Sequence, residues 1–111
     1  MDEKRVILEE LAKDICPIFG DALSKIILYG SYARGDYNTN SDIDIMILTK
    51  LSDEEIVSIE DQVIDIAYDY ELRQKTPISI NIKNEEHFKY WENALPYYRN
   101  IAREGVVLAG W

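Results

Sequence analysis

Four residues of this chain have types and spacing suited to one piece of chemistry: Gly30, Ser31, Asp42 and Asp44. Lys25 to Tyr29 (KIILY) is an Ile-rich run long enough for a buried strand and too short for a helix, and it stops at Gly30. A Gly-Ser pair at a strand end lets backbone approach a phosphate closely, and N–H groups opening a helical turn point partial positive charge at an anion. Ser31 adds a hydroxyl. After a polar loop, Ser41 to Leu48 (SDIDIMIL) reads as a second strand. Alternation puts Asp42 and Asp44 on one face with Cα atoms about 6.5 Å apart, and Ile43, Ile45 and Ile47 on the other. Two carboxylates that close repel each other on an apolar strand, and a divalent cation resolves the conflict. Mg²⁺, or Mn²⁺ in its place, takes oxygen ligands and completes its octahedron with water and substrate phosphates. Nucleotidyl transfer uses such a clamp on the attacking hydroxyl and the leaving pyrophosphate.

Gly30-Ser31, ten residues, then Asp42-x-Asp44 resembles the signature of the DNA polymerase β-like nucleotidyltransferase superfamily. The Ala33-Arg34-Gly35-Asp36 insert and the short length are similar to its minimal, MNT-type domains, some of which are antitoxins paired with HEPN-domain toxins. The resemblance implies an α/β (α+β) fold, a small mixed β-sheet flanked by helices. It further implies a nucleoside triphosphate donor, ATP first, and an acceptor that on the antitoxin pattern is a tyrosine of a HEPN-type toxin. Arg34 has two readings, a phosphate contact or a loop cation paired with Asp36. Gly35 reads as a turn residue. Asp36-x-Asn38-x-Asn40 imitates the start of a calcium-binding hand, but Ser41 stands where Gly is wanted and Ile47 where a bidentate Glu belongs.

The elements that position these residues follow from periodicity. Glu3 to Cys16 carries Val6, Ile7, Leu8, Leu11 and Ile15 at helical spacing, and Cys16-Pro17 is expected to end that helix. Ser52 to Glu55 (SDEE) has the form of a capping box opening a helix to about Arg73, with Ile56, Ile59, Val63, Ile66 and Tyr70 as its buried stripe. Asp61, Asp65 and Asp69 on that helix read as a solvated face. Pro77 admits a third strand, Ile78 to Ile82, with isoleucines on one face and Ser79, Asn81 and Lys83 on the other. Glu85 to Glu104 is aromatic and helical with a break at Pro96. Phe88, Trp91, Leu95, Tyr97 and Tyr98 are expected to cover the sheet, with a partner-binding patch as the sharper alternative. His87, the one histidine, reads as packed or surface.

On the third strand the chain departs from the family pattern. Active members carry a third carboxylate there, which ligates the catalytic metal and accepts the attacking hydroxyl's proton. By position Ser79 stands where that Asp would be, with Asn81 next. Neither is anionic, and a hydroxyl or amide ligates Mg²⁺ poorly and is no base near pH 7. Asp65 or Asp69 on the long helix is the candidate replacement. Two functions are therefore carried forward: a Mg²⁺-dependent transferase, and a catalytically weak or inactive nucleotide-binding antitoxin that acts by contact.

Composition narrows the partners. A chain of 111 residues, 47% hydrophobic, is expected to form one domain over 1–111 around one core. With 21 acidic and 12 basic residues the net charge is -9, which argues against a long nucleic acid and suits a basic protein or a nucleotide screened by Mg²⁺. Cys16 is the one cysteine, so no disulfide forms within the chain and a cytoplasmic location is the expectation. The charged start MDEKR and the lack of a long apolar run indicate neither secretion nor a membrane span. A homo-oligomer remains compatible with these features.

Overall fold

The computed structural model describes residues 2–110. Its centre is the pair of strands that flanks the Gly-Ser turn: β1 (Leu23–Tyr29) runs antiparallel to β2 (Ile43–Thr49), with Leu28 opposite Ile45 and Tyr29 opposite Asp44. The second strand begins at Ile43, two residues later than the alternation suggests, because the Ile43 N–H donates to Pro77 O while Asp42 stays exposed ahead of the ladder. β3 (Ile78–Asn84) lies parallel to β2, the arrangement that needs a long crossover. That crossover is α3 (Asp53–Gln74), opened by the full capping box between Ser52 and Glu55.

A fourth strand, β4 (Val106–Gly110), pairs antiparallel with the other edge of β1, giving the mixed order β3-β2-β1-β4. No strand is expected there from sequence. Val106 to Ala109 is a short apolar run that by itself does not tell strand from helix, and β1's unpaired edge supplies the ladder.

The two faces of the sheet are covered differently. Ile26, Leu28, Ile43, Ile45 and Ile47 form one core with α1 (Asp2–Phe19) and α3, and Val63 and Tyr70 of α3 are buried in it. Of the rest of the expected stripe, Ile56 is buried, and Ile59 and Ile66 pack partly buried against the same core. Ile27, Tyr29, Met46 and Leu48 form the second face, covered by Phe88 and Ile101 from α4 (Glu85–Glu92) and α5 (Pro96–Glu104). The break at Pro96 is real: the chain turns over residues 93–95 and Pro96 opens α5.

Two expectations need correction. The first helix does not end at Cys16-Pro17 but runs to Phe19. A proline in the last turn forfeits one backbone bond, and continuing buries Phe19 beside Ile15; Gly20, at φ +55°, makes the stop. The aromatic tail is not a uniform covering layer either. Phe88 is buried and Tyr98 packs edge-on against it, whereas Trp91, Leu95 and Tyr97 are exposed. Two short helices present only one side each to the sheet. His87 sits at the surface, 3.7 Å from Asp53.

Candidate active site

The turn after β1 is built around Gly30. Its φ of 74° and ψ of -156° are open to glycine alone, and a Cβ there would overlap the Asp44 carboxylate. Gly30 O accepts from Ala33 N–H and Arg34 N–H at 3.1 Å each, starting the single helical turn α2 (Ser31–Arg34). Gly35, at φ +84°, ends it, in the turn role its type suggests. Tyr32 is buried beneath this turn and stacks on Tyr37, ring centroids 4.2 Å apart and 8° from parallel. The loop beyond closes through its own side chains: Asn38 Oδ1 accepts from Asn40 N–H at 2.8 Å and Ser41 Oγ from Asn38 N–H at 3.0 Å. These oxygens serve the backbone rather than a calcium ion.

Asp44 lies between Tyr29 on β1 and Ser79 on β3, directly across the ladder from each. Paired residues share a face, so the carboxylate, the phenol and the hydroxyl point to the same side. Burial raises the Asp44 pKa above its ordinary value; the neighbouring Asp42 charge adds to the rise and the Arg34 guanidinium opposes it. Asp42 is exposed. Arg34 takes up the ion-pair reading, with Nε 3.2 Å from Asp36 and Nη1 3.8 Å from Glu104, while its charge also acts on Asp44.

Of the two third-carboxylate positions, Ser79 is the one abreast of Asp44 and is exposed. Asn81 is paired with Met46, further along the strand, and its amide is occupied: Nδ2 donates to Tyr29 Oη at 2.8 Å. Tyr29 and Tyr97 share a hydroxyl–hydroxyl bond of 3.0 Å. Burial and that bond drive the Tyr29 pKa far upward, so the phenol stays neutral. Asp65 and Asp69 supply no substitute acid. Both are exposed on the helix that covers the opposite sheet face, and Asp69 pairs with Arg73 at 3.3 Å. Among the described residues no three His, Cys, Asp or Glu side chains converge to hold a metal.

A cleft of about 260 Å³ opens beside Asp44. Gly30, Arg34, Asp44 and Tyr29 line one wall, and Tyr97, Asn100, Ile101 and Glu104 of α5 line the other. Ser31, Asp42 and Ser79 are outside that lining. Sequence reasoning passed over the α5 wall. Tyr97, Asn100 and Glu104 recur at helical spacing, a detectable signal, but only the packing of α5 across β1 gives the stripe a neighbour.

The Gly-Ser turn, the Asp-x-Asp strand and the mixed four-stranded sheet define a nucleotidyltransferase domain, and the chain belongs to that family, whose sequence profile matches residues 8–108. It is similar to a Methanocaldococcus jannaschii protein provisionally named protein adenylyltransferase MJ0604, 36% identical over 108 residues that cover 97% of this chain and 99% of that one. A second such protein of the same organism, MJ0141, is 43% identical over 75 residues, 66% of this chain and 72% of its own length. The fold is that of MNT antitoxins. A toxin–antitoxin crystallised with AMP-PNP superposes with a TM-score of 0.58 at 20% identity, covering 93% of this chain and 73% of its own. The MNT antitoxin in complex with a tri-AMPylated Shewanella oneidensis HEPN toxin gives 0.52 at 16% identity, covering 100% and 74%. Among the described residues no helix is long and apolar enough to cross a membrane.

Proposed function

We propose that this chain binds a nucleoside triphosphate, ATP by preference, and transfers AMP to a hydroxyl of a HEPN-type toxin in the cytoplasm. The observation that carries the reading is the fit of Gly30 against Asp44, a glycine in a glycine-only conformation whose missing side chain leaves room for the carboxylate. A steric module has no use for that combination. The ATP preference rests on the adenylyltransferase relatives and on the AMP-PNP complex, and the toxin acceptor on the AMPylated toxin held by an MNT antitoxin. The cytoplasmic location rests on the lone cysteine and the nucleotide substrate.

The donor set fits one Mg²⁺ shared with the triphosphate: two oxygen-only ligands, Asp42 and Asp44, the second raised in pKa by burial and by the charge of the first. When bound, the ion supplies the charge that neutralises the triphosphate and the departing pyrophosphate. The chain's own residues do the rest. Gly30 admits the phosphates to the backbone, Ser31 offers a hydroxyl, and Arg34 exchanges its solvent-exposed partners for a phosphate oxygen. The acceptor hydroxyl forms its bond to the α-phosphorus as the α–β bridging bond breaks and pyrophosphate leaves. Ser79 cannot take the released proton, which passes to solvent.

A second reading is favoured by that same Ser79. A site with Ser79 in place of a third carboxylate across from Asp44 binds nucleotide but transfers slowly, and the chain then neutralises its partner by contact. Calorimetric titration of Mg·ATP into wild type and the Asp42→Asn/Asp44→Asn double variant, followed by a labelled-ATP assay on a HEPN toxin, separates the two. Metal-dependent binding lost in the double variant with label on the toxin supports transfer. Binding without label supports the contact mechanism, and no binding overturns both.

A further inference from the structure

Helix α3 has two apolar faces and the fold uses one. Val57, Ile64, Tyr68 and Leu72 are exposed by 67%, 50%, 57% and 58%, on the side opposite the stripe that packs into the core. At 100° per residue these four fall within an arc of about 80°, so they share one face of the helix, with Ile64, Tyr68 and Leu72 on successive turns. The stripe borders the sheet edge. Ile64 and Tyr68 share a groove of about 240 Å³ with Ile78 and Ile80 of β3, which is an edge strand of the sheet. Glu71 lies in the groove, its Oε1 accepting the Ile78 N–H at 2.8 Å.

Carboxylates bracket this stripe. Glu60 and Glu71 flank it on one side, Asp65 and Asp69 on the other, and Asp61 interrupts it. Arg73 is bound to Asp69, so the one arginine on this helix is already paired. An acid-bracketed apolar stripe on a chain of net charge -9 rejects a second copy of itself, since a two-fold pairing sets acids against acids. It repels anionic lipid and nucleic acid for the same reason.

We propose that the outer face of α3, with the neighbouring edge of β3, is a docking surface for a protein partner that presents a helix with an apolar ridge flanked by Lys and Arg. The surface is on the opposite side of the sheet from the Asp44 cleft, so docking and nucleotide binding are separable functions of one small domain. The inference does not depend on transfer activity.

The test uses the full chain, ¹⁵N-labelled, and a panel of synthetic helices with Leu, Ile or Phe ridges, each made once with Lys/Arg flanks and once with Glu flanks. A basic-flanked helix is expected to shift amide signals between residues 57 and 80, to bind at least about tenfold more weakly to Ile64→Lys/Leu72→Lys, and to weaken with added salt. Both substitutions are at exposed positions, and an unchanged melting temperature with unchanged Mg·ATP binding shows that only docking was lost. Three results would overturn the proposal: no shift with any helix of the panel, equal binding of Glu-flanked helices, or a concentration-dependent dimer of the free chain that the double variant dissolves.

Discussion

The α-carbon of Gly30 faces the carboxylate of Asp44 so closely that a methyl group on it would collide with Oδ2. The turn and the acid-bearing strand are thus one unit: the Gly30 conformation makes the space, and the β1–β2 register puts Asp44 in it. Gly30→Ala combines a left-handed φ with this overlap and is expected to cost about 2–3 kcal/mol and to weaken Mg·ATP binding at least tenfold. Gly20→Ala is the control, because Gly20 has a similar φ and nothing within 4 Å. It should lower stability by about 1 kcal/mol and leave binding untouched, as read by urea titration and calorimetry.

Stability of the metal-free protein should depend on pH through Asp44. Its folded pKa is raised above the ordinary 3.8, so between the two values the folded state holds more proton than the unfolded. Stability is then fully present below the unfolded pKa and falls as pH rises through the folded one. Asp44→Asn removes this penalty and is expected to raise the melting temperature slightly at pH 7 and to have no such effect at pH 3. Mg²⁺ with ATP should stabilise the wild type and leave the variant unmoved.

Restoring an acid on β3 tests the register. Ser79→Asp sets a third carboxylate abreast of Asp44. Transfer of labelled AMP should rise on the order of 100-fold, the scale of a positioned proton acceptor, while the metal-free protein loses stability from the added like charge. Asn81→Asp, further along the strand and bonded to Tyr29, should give no such rise.

A part-buried hydroxyl chain ties α5 to the sheet. Tyr97→Phe removes one bond to Tyr29 and should cost about 1 kcal/mol, whereas Tyr29→Phe strands the Asn81 amide as well and should cost about 2–3 kcal/mol. A double-variant cycle by urea denaturation is expected to show coupling between Tyr29 and Tyr97.

What could be read from the residues alone was local. Lys25 to Tyr29, the Gly-Ser turn, the Asp-x-Asp strand, the Ser52–Glu55 box and the isoleucine face of β3 each carry their period or their cap within a few neighbours, and the mixed sheet was legible through the family resemblance those motifs carry. Where one local rule was trusted against packing it failed: Pro17 does not stop a helix whose next turn buries Phe19. The tertiary structure alone decided the rest. Val106–Gly110 is a strand because β1 has an edge to fill, and Tyr97, Asn100 and Glu104 line the Asp44 cleft because α5 packs over the second face of the sheet. Ser79 rather than Asn81 stands beside Asp44 because parallel pairing sets one register among several that the alternation permits. Contacts between residues distant in sequence are chosen by which surfaces bury together, and no short window of residues holds that information.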